Sequence, residues 1–254
     1  MKLRELVDSV TVMSLRTLSL AHRNPSNLRR YVGYCLRRYD ELAGRGLPIG
    51  SPTAPASGET ITLPAAHTGG GMSFTEMVIM ARVTKTRRPH TVFEMGSYDG
   101  LTTAVFLLNA PADARIISLD LPPESAPKDD HMDSDKQLVA ARALGAVPRS
   151  MGLNDYTQLL CDSMEFDPSP YLGSVDLGLV DAAHDVAHAS NDTAKMARML
   201  TDDGIVFWHD YGGKGSFWPL TSYLESLGRK CSMFRIPETT LAWAYAKDLK
   251  RAVL

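Results

Sequence analysis

The sequence predicts a doubly wound α/β domain on a mostly parallel sheet, preceded by a helical extension. From Ser73 onward, apolar segments rich in β-branched residues alternate with segments of helical periodicity. This alternation is typical of a parallel sheet that helices cover on both faces. Near the C-terminus, two strand-like segments are separated only by Ile236–Thr239. So short a connection indicates a hairpin, and hence an antiparallel pair at one edge of the sheet.

The elements of the domain follow from residue type and spacing. β-branched and aromatic residues mark the strands, and apolar residues three or four positions apart mark the helices. The strand that ends at Trp208 is expected to begin at Ile205, because Thr201–Gly204 has the composition of a turn that ends the helix before it. In chain order we expect helices over 74–83, 101–108, 136–144, 187–200 and 217–227, and strands over 91–93, 115–120, 157–161, 174–181, 205–208, 230–235 and 240–245.

Three regions are expected along the 254 residues. Residues 1–48 form the helical extension, because apolar residues recur at helical spacing on both sides of a start signal at Asn24-Pro25. Residues 49–72 are rich in Gly, Pro, Ser and Thr and form a linker or a loop over the site. Residues 73–254 form the α/β domain. The extension packs on this domain or joins two copies of the chain in a homodimer; a helix lying on a membrane surface is the alternative.

The composition excludes several classes of protein. A net charge of −2 gives no argument for a nucleic-acid partner. The three cysteines have no C-x-x-C spacing, which indicates reduced thiols and a cytoplasmic setting. No apolar run approaches the roughly 20 residues of a membrane span, and charged residues occupy the place of a signal-peptide core.

The turn after the first strand, Glu94-Met-Gly-Ser-Tyr-Asp-Gly100, predicts a nucleotide site. Its glycines let a ligand approach the backbone, and the helix that follows aims N–H groups at the ligand. The spacing E-x-G-x-x-x-G lacks the third glycine of the dinucleotide fingerprint, and the charge of Glu94 would repel a pyrophosphate. Asp120 ends the next strand, where a carboxylate can accept both hydroxyls of a ribose. A cationic nucleoside without phosphates, such as S-adenosylmethionine, suits this turn better than a dinucleotide.

Polar residues collect at the carboxyl ends of the predicted strands, where a doubly wound sheet binds its ligand. Asp181 ends the fourth strand, while His209 and Asp210 end the fifth, so these side chains are expected to meet. Two carboxylates and an imidazole could hold a divalent cation such as Mg²⁺ or Mn²⁺, which would acidify a bound hydroxyl. His184, three residues after Asp181, would lie over the same site as a general base. His188 is expected to be a solvated helix residue.

From Ser73 to the C-terminus the chain resembles the class I S-adenosylmethionine-dependent methyltransferases. The resemblance rests on the turn 94–100, on Asp120, on 161–163, on 180–184 and on 200–210, in this order. It implies a seven-stranded sheet whose last hairpin supplies the antiparallel strand. It also implies a donor site with Gly96, Ser97, Tyr98 and Gly100 near the methionine part, Asp120 on the ribose, Asp162 and Ser163 by the adenine, and Glu94 and Asp181 beside them.

Within this class, the residues after strands four and five look like those of metal-dependent O-methyltransferases of the catechol and macrolide-sugar types. The likeness implies Asp181, His209 and Asp210 as metal positions and His184 as the base. Those families usually carry an acid where this chain has His209, and histidine suits Mn²⁺, Fe²⁺ or Zn²⁺ better than Mg²⁺. The implied activity is methyl transfer to a hydroxyl of a small molecule: a sugar, a glycolipid or a secondary metabolite of natural product biosynthesis.

Two other classes of function stay open at the level of the sequence. An NAD(P)-dependent oxidoreductase would use the same sheet, although Glu94 and the missing third glycine count against it. A non-catalytic relative could keep the fold as a binding protein, although Asp120 and Asp181 are acids that a functional site needs.

Overall fold

The computed structural model describes residues 46–52, 59–65, 71–125, 143–212 and 218–254. Nearly all of the expected helical extension, and most of the helix expected over 136–144, lie outside the described residues. The helices are α1 Phe74–Arg87, α2 Leu101–Asn109, α3 Ala146–Ser150, α4 Val186–Met199, α5 Trp218–Gly228 and α6 Ala246–Val253. The strands are β1 Thr91–Met95, β2 Arg115–Asp120, β3 Thr157–Leu160, β4 Val175–Val180, β5 Leu200–Trp208, β6 Met233–Arg235 and β7 Ala242–Tyr245.

The seven strands form one sheet in the order β3-β2-β1-β4-β5-β7-β6. Strands β1 to β5 pair in parallel, and β7 runs antiparallel to both β5 and β6. The doubly wound fold and the antiparallel hairpin expected from the sequence are therefore confirmed. The chain moves outward from β1 to β3 and then returns to β4 on the other side of β1. This reversal opens a crevice between β1 and β4 at the carboxyl edge of the sheet.

Both faces of the sheet are buried, because successive residues of a strand face opposite sides. Phe93 and Trp208 belong to the core beneath α4, α5 and α6, whereas Val92 and Phe207 belong to the core beneath α1 and α2. All four side chains are 0% exposed, and burying each contributes about 1.5–3 kcal/mol. The strand ends therefore belong to a sheet that helices pack against on both faces.

The start of the fifth strand differs from the prediction. Strand β5 begins at Leu200, so the expected start at Ile205 is wrong. Leu200 pairs with Val175 and Ile205 with Leu177, and the extra residues between them form an irregularity in the ladder. A bulge of this kind accommodates a turn-like composition inside a strand. Helices α3 and α6 were not predicted.

Part of the segment that precedes the α/β domain pairs with the edge strand β6. Arg235 N of β6 donates to Pro48 O at 2.9 Å, and Gly50 N donates to Arg235 O at 3.1 Å. Leu47 N donates to the hydroxyl of Tyr211 at 2.9 Å. Residues 47–50 therefore lie along the β6 edge, close to the residue that follows Asp210. Within the described residues, no helix combines the length and the apolarity needed to cross a membrane.

Candidate active site

A cleft lies at the carboxyl edge of the sheet, beside the reversal between β1 and β4. Two backbone hydrogen bonds continue the ladder past the strands: Asp181 N donates to Met95 O at 2.8 Å, and His209 N donates to Val180 O at 3.2 Å. The ends of β1, β4 and β5 consequently lie at one level. The predicted site residues that line the cleft are Gly96, Ser97, Tyr98, Asp120, Asp162, Ser163, Asp181, His184, His209 and Asp210.

The turn after β1 packs tightly against the chain after β4. Gly96 has a φ of 88°, and a Cβ there would collide with the carbonyl oxygen of Asp181 and lie 2.7 Å from Ala182 Cα. Only glycine meets both conditions without strain. Gly100, which begins α2 with a φ of 86°, is likewise closed off by Pro148 and does not line the cleft. The turn thereby joins the two halves of the cleft.

Asp120 shapes the turn as well as facing the cleft. Its Oδ2 accepts hydrogen bonds from Ser97 N at 2.8 Å, Ser97 Oγ at 3.1 Å and Tyr98 N at 2.9 Å. Its Oδ1 accepts from Leu121 N at 2.7 Å. A carboxylate with this many donors holds the backbone of the turn in one conformation. The predicted ribose residue is therefore also the residue that organises the glycine turn.

Glu94 lies behind the cleft and does not line it. Its side chain is 1% exposed, and Oε2 accepts from Thr103 Oγ1 at 2.5 Å and Ser118 Oγ at 2.9 Å. Burial raises the pKa of the Glu94 carboxyl to about 8, so this group is mostly protonated at neutral pH. The negative charge that the sequence suggested at this position is therefore absent, because the side chain enters the core beside α2. Glu94 bears on a ligand only through the turn that it supports.

The loop after β3 contributes Asp162 and Ser163 to the cleft. Asp162 Oδ1 accepts from Met164 N at 2.9 Å, which closes a tight turn. The carbonyl of Ser163 accepts from two side chains of α4, Asn191 at 3.0 Å and Lys195 at 2.6 Å. The loop is thus held from the side opposite to the cleft.

His184 and Asp210 form a hydrogen-bonded pair between the ends of β4 and β5. His184 Nε2 lies 3.0 Å from Asp210 Oδ2, and the imidazole is 4% exposed. Hydrogen bonds from His184 and His209 outweigh burial and keep the pKa of Asp210 well below its usual range. An ionised carboxylate only accepts hydrogen bonds, so Nε2 carries the hydrogen and the basic lone pair of the neutral ring is on Nδ1.

His209 is enclosed by carboxylates. Its Nδ1 lies 3.1 Å from Asp181 Oδ1 and 3.3 Å from Asp210 Oδ2, and its Nε2 lies 3.4 Å from Glu76 Oε2. Burial would lower the pKa of His209, but these three acids raise it well above its ordinary value. His209 is therefore an imidazolium that donates from both nitrogens.

Glu76 is the functional neighbour that the sequence did not reveal. It reaches the site from α1, where it completes a capping box with Ser73, and its Oε1 accepts from Thr240 N at 2.6 Å and Thr240 Oγ1 at 2.8 Å. Burial alone would raise the pKa of Glu76, yet the bond and charge of His209 hold it well below its usual range. The S-x-x-E pattern at 73–76 could have identified a helix start, but not a partner 133 residues away.

A sequence model of a protein family, described as a methyltransferase domain, matches residues 93–211. The match spans the glycine turn, Asp120 and the His184–Asp210 pair. Residues 93–211, just under half of the chain, therefore match a methyltransferase domain. No curated protein sequence matches the chain significantly.

Solved structures share the fold of this chain at low sequence identity. Cofactor-bound Rv0187 from MTB is 14% identical with a TM-score of 0.53, over 71% of this chain and 84% of that one. The S-adenosylhomocysteine-bound methyltransferase PaMTH1 of Podospora anserina is 15% identical with a TM-score of 0.52, over 67% and 77%. A Staphylococcus aureus protein, provisionally described as a caffeoyl-CoA O-methyltransferase, is 10% identical with a TM-score of 0.50, over 92% and 97%. These likenesses concern the fold.

The set of candidate metal ligands that lie close together in the structure differs from the set predicted from the sequence. One ligand atom each from Asp181, His184 and Asp210 lies within 4.8 Å of the other two. This group does not include His209, whose Nδ1 lies 3.1 Å from Asp181 Oδ1 and whose Nε2 lies 3.4 Å from Glu76 Oε2. The three residues that do fit include His184, the expected base.

His188 also lies differently from its expected place on a solvated helix face. It lines the cleft and is 5% exposed. Asp185 caps α4 by accepting from His188 N at 3.0 Å, and its other oxygen lies 2.7 Å from His188 Nδ1. The cap therefore holds the ring inward, and the expectation of a solvated residue is wrong.

Proposed function

We propose that this protein transfers the methyl group of S-adenosylmethionine to a hydroxyl oxygen of a small molecule, with His184 as the general base. The observation that carries the proposal is the His184–Asp210 pair, whose Nε2 to Oδ2 distance is 3.0 Å. This pair lines the same cleft as the glycine turn and Asp120. An oriented base beside a donor site is what an oxygen-directed methyl transfer requires.

Four observations support S-adenosylmethionine as the donor. Because Gly96 has no side chain, a ligand in the cleft can approach the backbone of the turn. Asp120 lies at the end of β2, where a carboxylate that binds a ribose is expected. The carboxylates of Asp181 and Asp210 favour a cationic sulfonium over a polyphosphate. The cofactor-bound and S-adenosylhomocysteine-bound states described for two proteins of the same fold agree with this donor.

The proton of the acceptor hydroxyl would pass to Nδ1 of His184. Its oxygen would then form a bond to the methyl carbon while the carbon–sulfur bond breaks, and the sulfonium leaves as a neutral thioether. Asp210 contributes by keeping the proton of the neutral ring on Nε2 and by stabilising the imidazolium that forms. His209 is not assigned this role, because its Nδ1 faces Asp181 and Asp210 and its Nε2 faces Glu76.

A divalent cation is a second candidate element of the mechanism, since Asp181, His184 and Asp210 would hold one. Two carboxylates and one imidazole suit Mn²⁺, Fe²⁺ or Zn²⁺ better than Mg²⁺. When bound, such an ion would lower the pKa of the acceptor hydroxyl. The ion and the proton would compete for the same imidazole, so the two mechanisms give opposite results on chelation.

A sugar, a glycolipid or another hydroxyl of a secondary metabolite is the proposed acceptor class, in a cytoplasmic biosynthetic setting. The description of one neighbour as a caffeoyl-CoA O-methyltransferase is compatible with a hydroxyl acceptor. The buried base favours such an acceptor, since an alcohol must lose its proton during methyl transfer, whereas a thioether or tertiary amine need not.

Donor binding is tested by thermal unfolding of the purified full chain. We expect S-adenosylmethionine and S-adenosylhomocysteine at 100 times their Kd to stabilise the protein by about 2.7 kcal/mol, and NADH to give no shift. The variant Asp120→Ala should lose most of the stabilisation, whereas Asp113→Ala, at an exposed position before β2, should keep it. Stabilisation by NADH alone would overturn the proposal in favour of an oxidoreductase.

The choice between base and cation is tested by assaying methyl transfer to a panel of hydroxyl compounds with and without EDTA. Activity that persists in EDTA supports the His184–Asp210 base acting alone. Activity that EDTA removes and Mn²⁺ restores would assign His184 to the ion and would contradict its role as the base.

A further inference from the structure

Helix α4 carries a buried stripe of polar residues where a core-facing stripe is ordinarily apolar. His188, Asn191, Asp192 and Lys195 recur at the spacing of one helix face. His188 is 5% exposed and Asp192 is 0% exposed, while the other two are half-buried. Polar groups withdrawn from water are costly unless they find partners, so the partners of this stripe indicate its purpose.

Two members of the stripe, Asn191 and Lys195, find partners on the loop between β3 and β4 that lines the cleft. Lys195 Nζ donates to Ser163 O at 2.6 Å and to Met164 O at 2.9 Å. Asn191 Nδ2 donates to the same Ser163 carbonyl at 3.0 Å and to Asp192 Oδ1 at 2.9 Å, so the buried acid orients the amide. Three hydrogen bonds from one helix thus converge on two adjacent peptide groups.

The turn is attached to the sheet at both ends: Cys161 N donates to Asp120 O at 2.9 Å, and the ring of the buried Phe166 lies 5.5 Å from that of Phe93. Met164 is 43% exposed and gives the loop little apolar anchoring. Asp162 closes the turn from within, through Met164 N and through the amides of Glu165 and Phe166. Between these two attachments, the peptide groups of Ser163 and Met164 are held by α4. Because Asp162 and Ser163 line the cleft, a shift of this loop would change the wall of the donor pocket.

We propose that Lys195 and Asn191 are positioning residues for the adenine of the donor: they hold the loop 161–164 against α4 without touching the ligand. The proposal rests on the proposed function and on the family resemblance, which implies that Asp162 and Ser163 lie beside the adenine. It assigns the polar stripe of α4 to donor affinity, separate from the proton transfer at His184. Its signature is a weakened affinity for every ligand that carries the adenosine group, with little change in the rate at saturating donor.

The test compares Lys195→Met with Lys195→Arg, Asn191→Ala and the matched control Lys250→Met. Lys250 also uses its ammonium in a hydrogen bond, to Asp202 Oδ1 at 2.7 Å, but outside the cleft-lining residues. The Kd values of S-adenosylhomocysteine and of adenosine are measured by calorimetry on the full chain, and KM for the donor and kcat are measured in parallel.

We expect Lys195→Met to weaken both ligands by about tenfold, as loss of a charged hydrogen bond predicts, with kcat within about twofold of wild type. Lys195→Arg should recover most of the affinity, and Lys250→Met should bind as wild type does. Asn191→Ala should weaken both ligands by roughly threefold, and it decides the matter if Lys195→Met does not fold.

Three results would overturn the inference. A folded Lys195→Met variant with wild-type affinity would show that donor binding does not depend on the hydrogen bonds from Lys195 to the loop. Weakening of S-adenosylhomocysteine without weakening of adenosine would place the effect at the homocysteine end. An equal loss in Lys250→Met would show a general effect of removing a lysine. Failure of the wild-type protein to bind either ligand would instead refute the proposed function itself.

Discussion

The two halves of the cleft are built by different means. The donor half, consisting of 96–100, Asp120 and 162–163, is organised largely by backbone groups: Asp120 accepts from amides 22 and 23 residues away. The chemical half, consisting of Asp181, His184, His209 and Asp210, is organised by contacts between side chains that lie 26 to 133 residues apart. The donor half is thus defined mainly by backbone conformation, and the chemical half by a network of charged side chains.

This difference sets how each half responds to mutation. A site made of backbone tolerates changes of side chain but not changes of backbone conformation. In a buried network each charge sets the protonation of its neighbours, so removing one member leaves another unpaired. We therefore expect functional losses in the chemical half and folding losses in the donor half.

The largest effect is expected for His184→Ala, in the chemical half. Removing a general base lowers kcat by about 10²–10⁴, while the donor half is left intact and the Kd of S-adenosylhomocysteine should change little. Steady-state kinetics together with calorimetry measure the two quantities. His90→Ala is the matched control, since His90 is an exposed histidine at the opposite edge of the sheet. A rate near that of wild type would show that His184 is not the base. The expectation that mutations in the chemical half reduce function would then lose its main support.

The next largest effect is expected for Gly96→Ala, in the donor half. A Cβ at Gly96 meets the carbonyl of Asp181, and the φ of 88° is strained for alanine. Gly152→Ala is the matched control, because Gly152 also has a positive φ, 70°, but has nothing within 4 Å of a Cβ. In urea unfolding we expect a loss of about 1 kcal/mol for Gly152→Ala, from backbone strain alone, and at least about 3 kcal/mol for Gly96→Ala.

Equal losses at the two glycines would contradict this account. They would show that the close approach between the turn and the chain after β4 costs little to open, and that the donor half is not rigid. A Gly96→Ala variant that folds with wild-type stability would have the same meaning.

The same contrast explains which parts of the site could be predicted from the sequence. The turn, Asp120 and the order of the strands are local signals: glycine spacing, an acid at a strand end, and alternating periodicities. Because parallel strands end at one edge, the meeting of Asp181, His184 and Asp210 also followed from strand order. The orientation of His209 did not follow, because it depends on Glu76 of α1, and no local pattern relates the two residues.

Burial was the other quantity that local patterns did not convey. Glu94 and His188 were both assigned to the wrong surroundings, one as a charge facing the ligand and the other as a solvated side chain. In each case the deciding contact comes from a neighbouring element or cap: Thr103 of α2 for Glu94, and Asp185 for His188. A polar residue type identifies a group that needs a partner, but not where the partner lies.

The last of the expected effects depends on pH and concerns Glu94, the buried acid beneath the donor half. Its pKa is about 8 in the folded protein against an ordinary value of 4.5, and burial is the main cause. Above pH 4.5 the unfolded chain has lost this proton while the folded chain retains it, so folding takes up a proton and stability falls as pH rises toward 8. Glu94→Gln removes the titration. We expect the stability of the variant relative to wild type to be roughly 3.5 kcal/mol higher at pH 8 than at pH 5.

Urea unfolding of both proteins at pH 5 and pH 8 measures this change, with Glu124→Gln, at an exposed glutamate after β2, as the matched control. A glutamine can still accept the hydroxyls of Thr103 and Ser118, so the packing beneath the turn is conserved. A stability difference that is the same at both pH values would mean that Glu94 is ionised in the folded protein. The donor half would then contain a buried charge of its own, and it would differ from the chemical half in degree rather than in kind.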